Sequence, residues 1–157
     1  MTVQNRHIRG LPDELLLPRD TRRSVPIMLV RARDAVISRF RPLLARFELS
    51  EQQWRVLRVL GEVDCLEARE VAERACVLAP SLTRILKALE ERGFVTRRGD
   101  PDDRRRILLS ITPRGMELLA TMTRDASASY AEFVEKFGAD RVDILLDMLA
   151  DLVELRK

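Results

Sequence analysis

The residues of this chain that could do chemistry are cationic and polar, not nucleophilic. The densest group is Asp100-Pro101-Asp102-Asp103-Arg104-Arg105-Arg106, with five charged side chains in the six positions 100–105. Arginines on a thin turn can enter the narrow minor groove of duplex DNA, where negative potential concentrates. Asp103 and Arg105 are near neighbours on such a turn, so a bidentate ion pair between them would hold the arginine in place. A second group lies some twenty residues earlier. Ser81 and Thr83 are short hydroxyl residues near an expected helix start, suited to phosphate or base-edge contacts with help from the helix dipole. Arg84 and Lys87 follow on the same exposed side and can reach guanine edges, with Arg84 the expected base reader. The plain alternative for each residue is a solvated charged or polar side chain.

Other chemistries lack their residues. His7 is the single histidine, and Cys65 and Cys76 are the two cysteines. They form neither a CxxC pair nor a His/Cys cluster, so a metal site, a disulfide framework and a Ser-His-Asp triad have no basis. The expectation is a protein that is not an enzyme and needs no cofactor. No run approaches the roughly 18 apolar residues of a membrane span, and the N-terminus lacks an apolar signal region. The expected location is cytoplasmic, with no membrane partner. The 157 residues are 46% hydrophobic and 4% aromatic, so Leu, Ile, Val and Ala must fill the core. The net charge of +3 is unevenly spread. Residues 80–115 hold nine basic and five acidic groups, net +4, whereas 116–157 hold five and nine, net −4. That asymmetry fits one surface facing a polyanion and another facing away.

The elements that must position these groups are legible as periods. Leu82, Ile85, Leu86 and Leu89 recur at i, i+3, i+4 and i+7 in a helix over about 80–92, stopped by Gly93. A short helix over about 68–75 precedes it, with Val71, Ala72 and Ala75 on its inner face. Ser50-Glu51-Gln52-Gln53 reads as a capping box that starts a helix carrying Trp54, Leu57 and Leu60 and ending near Gly61. After Gly93 the period becomes alternating: 94–98 and 107–111 read as two strands around the charged tip. Two helices joined by a short turn, followed by a hairpin, make a winged helix-turn-helix, a duplex DNA reader.

Helices flank this module. Ser24 and Pro26 signal the start of one carrying Leu29, Val36, Phe40, Leu43 and Phe47, with a break near Arg41 imposed by Pro42. Thr112-Pro113 signals a long helix to about Phe137, ended by Gly138. A last helix carries Val142, Leu145, Leu146, Leu149, Leu152 and Val153. The expected fold is mainly α with a small β-hairpin wing. Its domains are a flexible basic arm at 1–23, dimerisation helices at 24–48 and 113–157, and a DNA-binding module at 49–112. The apolar stripes of the terminal helices exceed what the module can cover, so a homodimer on a pseudo-palindromic site is expected. An intramolecular bundle is the alternative.

The stretch 100–106 followed by Leu109-Ser110-Ile111-Thr112-Pro113-Arg114-Gly115 resembles the wing signature of the multiple-antibiotic-resistance regulator (MarR) family, over about residues 26–155. The resemblance implies a dimeric winged-helix regulator, often a repressor released by a phenolic or aromatic acid. It assigns Asp103 and Arg105 to the wing's ion-paired, minor-groove arginine. Phe40-Arg41-Pro42, Glu51-Gln52-Gln53-Trp54-Arg55 and Ala75 to Thr83 resemble the homoprotocatechuate-degradation regulator subgroup, which implies control of hydroxyphenylacetate catabolism. The long basic arm before Ser24 departs from that subgroup.

A small aromatic acid effector needs an apolar slot and a cation. The family places such slots where the dimer helices meet the DNA-binding lobe, which makes Arg33, Arg41 and Arg55 candidates for the carboxylate and Phe40 and Trp54 for the ring. Each has a plainer role in the core or at a solvated surface. Cys76 is expected to be buried in the helix-turn-helix turn, and both cysteines to be structural. A thiol-redox switch and a protein-interaction or architectural winged helix remain the competing functions.

Overall fold

The protein is described from a computed structural model, in which residues 20–100, 103 and 106–155 are described. Most of the expected arm, and Arg104 and Arg105 of the wing tip, lie outside them. The chain divides into two units after Arg41.

In the first unit a 3-10 turn at Thr21–Arg23 leads into helix α1, Val25–Ile37. The Asp20 carboxylate accepts from the Arg22 backbone N–H at 2.9 Å, capping that turn. This hydrogen bond, and then the Arg22 side chain, hold the Asp20 carboxyl below its ordinary value. Pro26 occupies the first turn of α1, where its missing N–H costs nothing. Helix α1 buries none of its residues within the chain. It ends before Ser38; helix α2, Arg41–Arg46, starts at the expected break and belongs, but for its first residue, to the second unit.

The second unit continues with α3 (Glu51–Leu60), β1 (Leu66–Glu67), α4 (Ala68–Arg74), α5 (Ala79–Glu91), β2 (Val95–Gly99), β3 (Ile107–Ile111), α6 (Pro113–Phe137) and α7 (Ala139–Glu154). The capping box at α3 is complete: Gln53 N donates to Ser50 Oγ at 3.1 Å and Ser50 N donates to Gln53 Oε1 at 2.8 Å. Helix α5 buries Leu82, Ile85, Leu86 and Leu89, the expected stripe. Burying four such side chains stabilises by about 6 to 12 kcal/mol as an upper bound. They meet Val56, Leu57 and Leu60 of α3, Val71 of α4, and Leu109 of β3 in one core. The mainly-α fold with a small antiparallel sheet is as expected from the sequence.

The sheet has three strands in the order β1-β3-β2. In the hairpin, Val95 pairs with Ile111 and Gly99 with Ile107. The third strand, β1, goes beyond the expected hairpin: its two residues, Leu66 opposite Leu109 and Glu67 opposite Leu108, are too few to show a period.

One junction joins α5, the wing and α6. The Thr112 hydroxyl donates to Gly93 O at 2.7 Å and accepts from Gly115 N at 3.0 Å. Thr112 N donates to Phe94 O at 2.9 Å. Gly115 is buried at this point, and a Cβ there would lie 2.4 Å from Phe94 O and 2.7 Å from Ile111 Cγ1. At Gly61 a Cβ would meet the Leu119 Cδ2 methyl at 2.6 Å, a side-chain end that can swing away.

Gly115→Ala forces backbone apart and is expected to destabilise the protein by about 1 to 3 kcal/mol, the usual cost of overpacking. Gly61→Ala is expected to cost less. Urea denaturation midpoints of the two variants, compared with the parent, check the order; equal midpoints would contradict the close approach at Gly115.

Candidate nucleic-acid interface

The helix-turn-helix consists of α4, a turn at 75–78, and α5. Ala75 N donates to Val71 O at 2.9 Å, Cys76 N to Glu73 O at 3.1 Å and Val77 N to Ala72 O at 2.9 Å, so the turn's backbone is satisfied by α4. Cys76 carries a left-handed φ of 49°, a conformation that costs a non-glycine residue roughly 1 kcal/mol or more. The Arg55 guanidinium of α3 offsets this by donating from Nη1 to Cys76 O at 3.2 Å. Cys76 is exposed, which corrects the expected burial. Ala75 and Val77, on either side, take the inward positions, and the left-handed step between them turns the Cys76 side chain outward.

Within α5, Arg84 and Lys87 lie opposite the buried stripe, with Ser81 and Thr83 on its two flanks. Thr83, Arg84 and Lys87 are exposed, and Ser81 is half-buried. Lys87 Nζ lies 3.9 Å from Glu91 Oε1, a solvated pair too weak to restrain it. The dipole of α5, with its N-terminus beside Ser81 and Thr83, favours a negative ligand there.

The wing is braced by ion pairs that no local pattern in the sequence announces. Arg97 of β2 meets Glu90 of α5 at 2.7 Å, tying the strand to the recognition helix. Arg106 Nη1 reaches Glu67 of β1 at 3.2 Å, while Arg106 Nε lies 3.7 Å from Asp103. Arg106 N donates to Asp103 O at 2.9 Å, and Asp100 N donates to Arg106 O at 3.1 Å, which closes the base of the tip. Asp103 therefore has a role at the wing root. The expected Asp103–Arg105 pair, and Arg104, lie outside the described residues. Sequence reasoning misses Arg106 and Glu67 because their pairing depends on β1, which has no sequence period. Arg98 of β2 donates to Cys65 Sγ at 3.7 Å.

The expected effector residues are distributed over both units. In the first, Arg33 is exposed, Phe40 is half-buried, and Arg41 pairs with Asp34. In the second, Trp54 packs against the core from α3. Arg55 is engaged at Cys76 O and lies 3.8 Å from Glu51 Oε1; its Nε is buried without a hydrogen-bond partner among the described residues. No group of His, Cys, Asp and Glu able to hold a metal occurs among the described residues.

The MarR family profile matches residues 49–107. The HTH-type transcriptional regulator FarR of Neisseria gonorrhoeae is 36% identical over 132 residues, covering 84% of this chain and 90% of that protein. The homoprotocatechuate degradative operon repressor of Escherichia coli is 36% identical over 132 residues, covering 84% and 89%. Among solved structures, NadR in complex with 4-hydroxyphenylacetate has 35% identity and a TM-score of 0.77, covering 85% of this chain and 97% of that one. The transcriptional repressor CouR bound to a 23-mer DNA duplex has 32% identity and a TM-score of 0.75, covering 82% and 92%.

Arg84→Ala is expected to weaken binding to a selected duplex by about 1 to 3 kcal/mol, the worth of one bidentate base pairing, and to relax preference at one position. Lys87→Ala is expected to lower affinity evenly across sequences and flatten the salt dependence by roughly 0.9 for each phosphate it no longer neutralises. Fluorescence anisotropy titrations at several salt concentrations separate the two; identical changes in slope and preference would contradict the division of roles.

Proposed function

The chain belongs to the MarR family of DNA-binding transcriptional regulators, and from that premise we propose that it is a repressor of an aromatic-acid catabolic operon, released by a hydroxyphenylacetate-type ligand. The observation that carries this reading is the paired likeness to a homoprotocatechuate operon repressor and to NadR holding 4-hydroxyphenylacetate. The chain's own residues supply what such a regulator requires. Ser81, Thr83, Arg84 and Lys87 form the major-groove face. Asp103 and Arg106 brace the wing whose Arg104 and Arg105 are the proposed minor-groove contacts. Arg33, Arg41 and Arg55, with Phe40 and Trp54, are the proposed effector residues. Among them, the buried Nε of Arg55 makes no hydrogen bond among the described residues and faces Glu51 Oε1 across 3.8 Å.

A homodimer on a pseudo-palindromic operator is part of the proposal. Helices α1 and α7 each carry apolar side chains that the single chain leaves in water, among them Val30 at 65% exposure, Ile144 at 58% and Met148 at 65%. Apolar side chains exposed along a helix in this way suit an interface. The net negative charge of 116–157 suits a surface held away from DNA.

A thiol-responsive regulator is a second reading, favoured by the exposure of Cys76 in the turn that leads into the recognition helix. One experiment separates the readings: a gel shift at physiological salt on the DNA upstream of the protein's own gene, with non-specific competitor. The expected result is a specific complex dissolved by 4-hydroxyphenylacetate and indifferent to peroxide. A complex dissolved by peroxide but kept by a Cys65→Ser/Cys76→Ser variant would replace the ligand reading with the redox one.

Leu146→Asp in α7 places a charge on the proposed interface. Sedimentation velocity is expected to show a dimer for the parent and a shift towards monomer for the variant; an unchanged dimer would move the interface elsewhere.

A further inference from the structure

The α4–α5 turn presents an apolar residue where a helix start normally has a polar one. Leu78 is the N-cap residue of α5 and makes no side-chain capping hydrogen bond. Ser, Thr, Asp or Asn at that position stabilises a helix by about 1 kcal/mol more than an aliphatic residue does. Nor is Leu78 used in the core: it is 78% exposed, whereas Val77 beside it is 7% exposed and Leu82 one turn on is 3% exposed. Its neighbours Ala79 and Pro80 are also exposed. An apolar step, Leu78-Ala79-Pro80, thus runs directly into the polar face formed by Ser81, Thr83 and Arg84.

The step is held firmly. Leu78 O accepts from Leu82 N at 2.9 Å, Val77 N is bonded to α4, and Arg55 grips the preceding carbonyl at Cys76. Pro80 fixes its own φ. A ligand that meets Leu78 therefore meets a placed side chain rather than a loose one.

We infer that Leu78, flanked by Ala79 and Pro80, packs on the C5-methyl group of a thymine in the operator. The inference rests on α5 being the DNA-reading helix. The thymine methyl is the one apolar group that base pairs display in the major groove. The surroundings favour DNA over a second copy of the chain: residues 80–115 are net positive, and the large unpartnered apolar faces lie on α1 and α7. Six residues separate Leu78 from Arg84, about 9 Å along a helix axis. With bases about 3.4 Å apart, the thymine falls about two to three base pairs from the base that Arg84 reads.

The test uses a duplex selected by the full-length protein from a random library. Each thymine is replaced in turn by deoxyuridine, which removes the methyl group and nothing else. The parent is expected to lose about fourfold in affinity at one position per half-site, the worth of one buried methyl, and little at the others. Leu78→Ala should bind the thymine duplex about fourfold more weakly and be indifferent to deoxyuridine at that same position. Leu78→Met, which keeps an apolar contact, should retain the sensitivity. Because Leu78 is exposed, both variants should keep the parent's melting temperature. Equal deoxyuridine losses in parent and Leu78→Ala, or no sensitive thymine, would overturn the inference while leaving DNA reading by α5 intact. A Leu78→Ala shift in oligomeric state would overturn it in favour of a contact between copies. Failure to select any sequence would overturn both this inference and the α5 reading.

Discussion

The Thr112 hydroxyl is the point on which the DNA-binding module depends. It donates to the carbonyl of Gly93, which ends the recognition helix, and accepts from the N–H of Gly115, which starts α6. Its backbone N–H binds Phe94, where the wing begins. Three elements that arrive separately in the chain are thereby locked at one residue. Gly93, at a φ of 73°, turns the chain out of α5 without the strain a side chain would bring. Gly115 lets α6 sit against the Phe94 carbonyl at a distance no side chain permits. The Phe94 ring is covered by the guanidinium groups of Arg92 and Arg114, at 4.8 and 5.4 Å from its centroid. The distance between a recognition helix and its wing sets which grooves both can reach, so this junction is a functional dimension as well as a structural one.

Most of the module is legible in the sequence because its elements have periods and punctuation. The α5 stripe, the Ser50–Gln53 box and the Thr112-Pro113 start of α6 each rest on local rules, and each stands where the residues place it. What is not legible depends on distant partners. Strand β1 exists because Leu66 and Glu67 find Leu109 and Leu108 some forty residues on. The Arg106–Glu67 pair follows from that strand and has no local signal. Cys76 departs from expectation because apolar character assigns a turn residue to the core, whereas the left-handed φ at that residue, a backbone property, decides its direction. The last helix shows the limit of a period. Its apolar stripe is real, yet within one chain only Val142 of that helix is buried, because periodicity reports a face and not what covers it.

The charges are unevenly spread along the chain. A net charge of +3 is too small to characterise a DNA binder, and the bulk value conceals the arrangement. Residues 1–50 hold ten basic and five acidic groups and 80–115 hold nine and five, while the acidic excess lies in the helices that follow the wing. Many of the basic side chains are paired, as Arg97 is with Glu90 and Arg106 with Glu67. Such exposed pairs contribute little stability. Their effect is positional: they tie β2 to α5 and the root of the wing to β1.

The recognition helix is gripped at both ends by arginines on backbone carbonyls. At its N-terminal turn Arg55 of α3 holds Cys76 O. At its C-terminal end Arg92 donates to Glu48 O at 2.7 Å and Phe47 O at 3.0 Å, in the segment between α2 and α3. Hydrogen bonds from a charged donor contribute about 1.5 to 3 kcal/mol each, and these three all connect α5 to α3 or to the segment entering it. With the buried stripe between them, α5 and α3 are fastened to one another along their length. A ligand that controls DNA binding through this module therefore has no need to touch α5. Its differential affinity has to act on the placement of that pair of helices, and the proposed effector residues Trp54 and Arg55 stand on the α3 side of it.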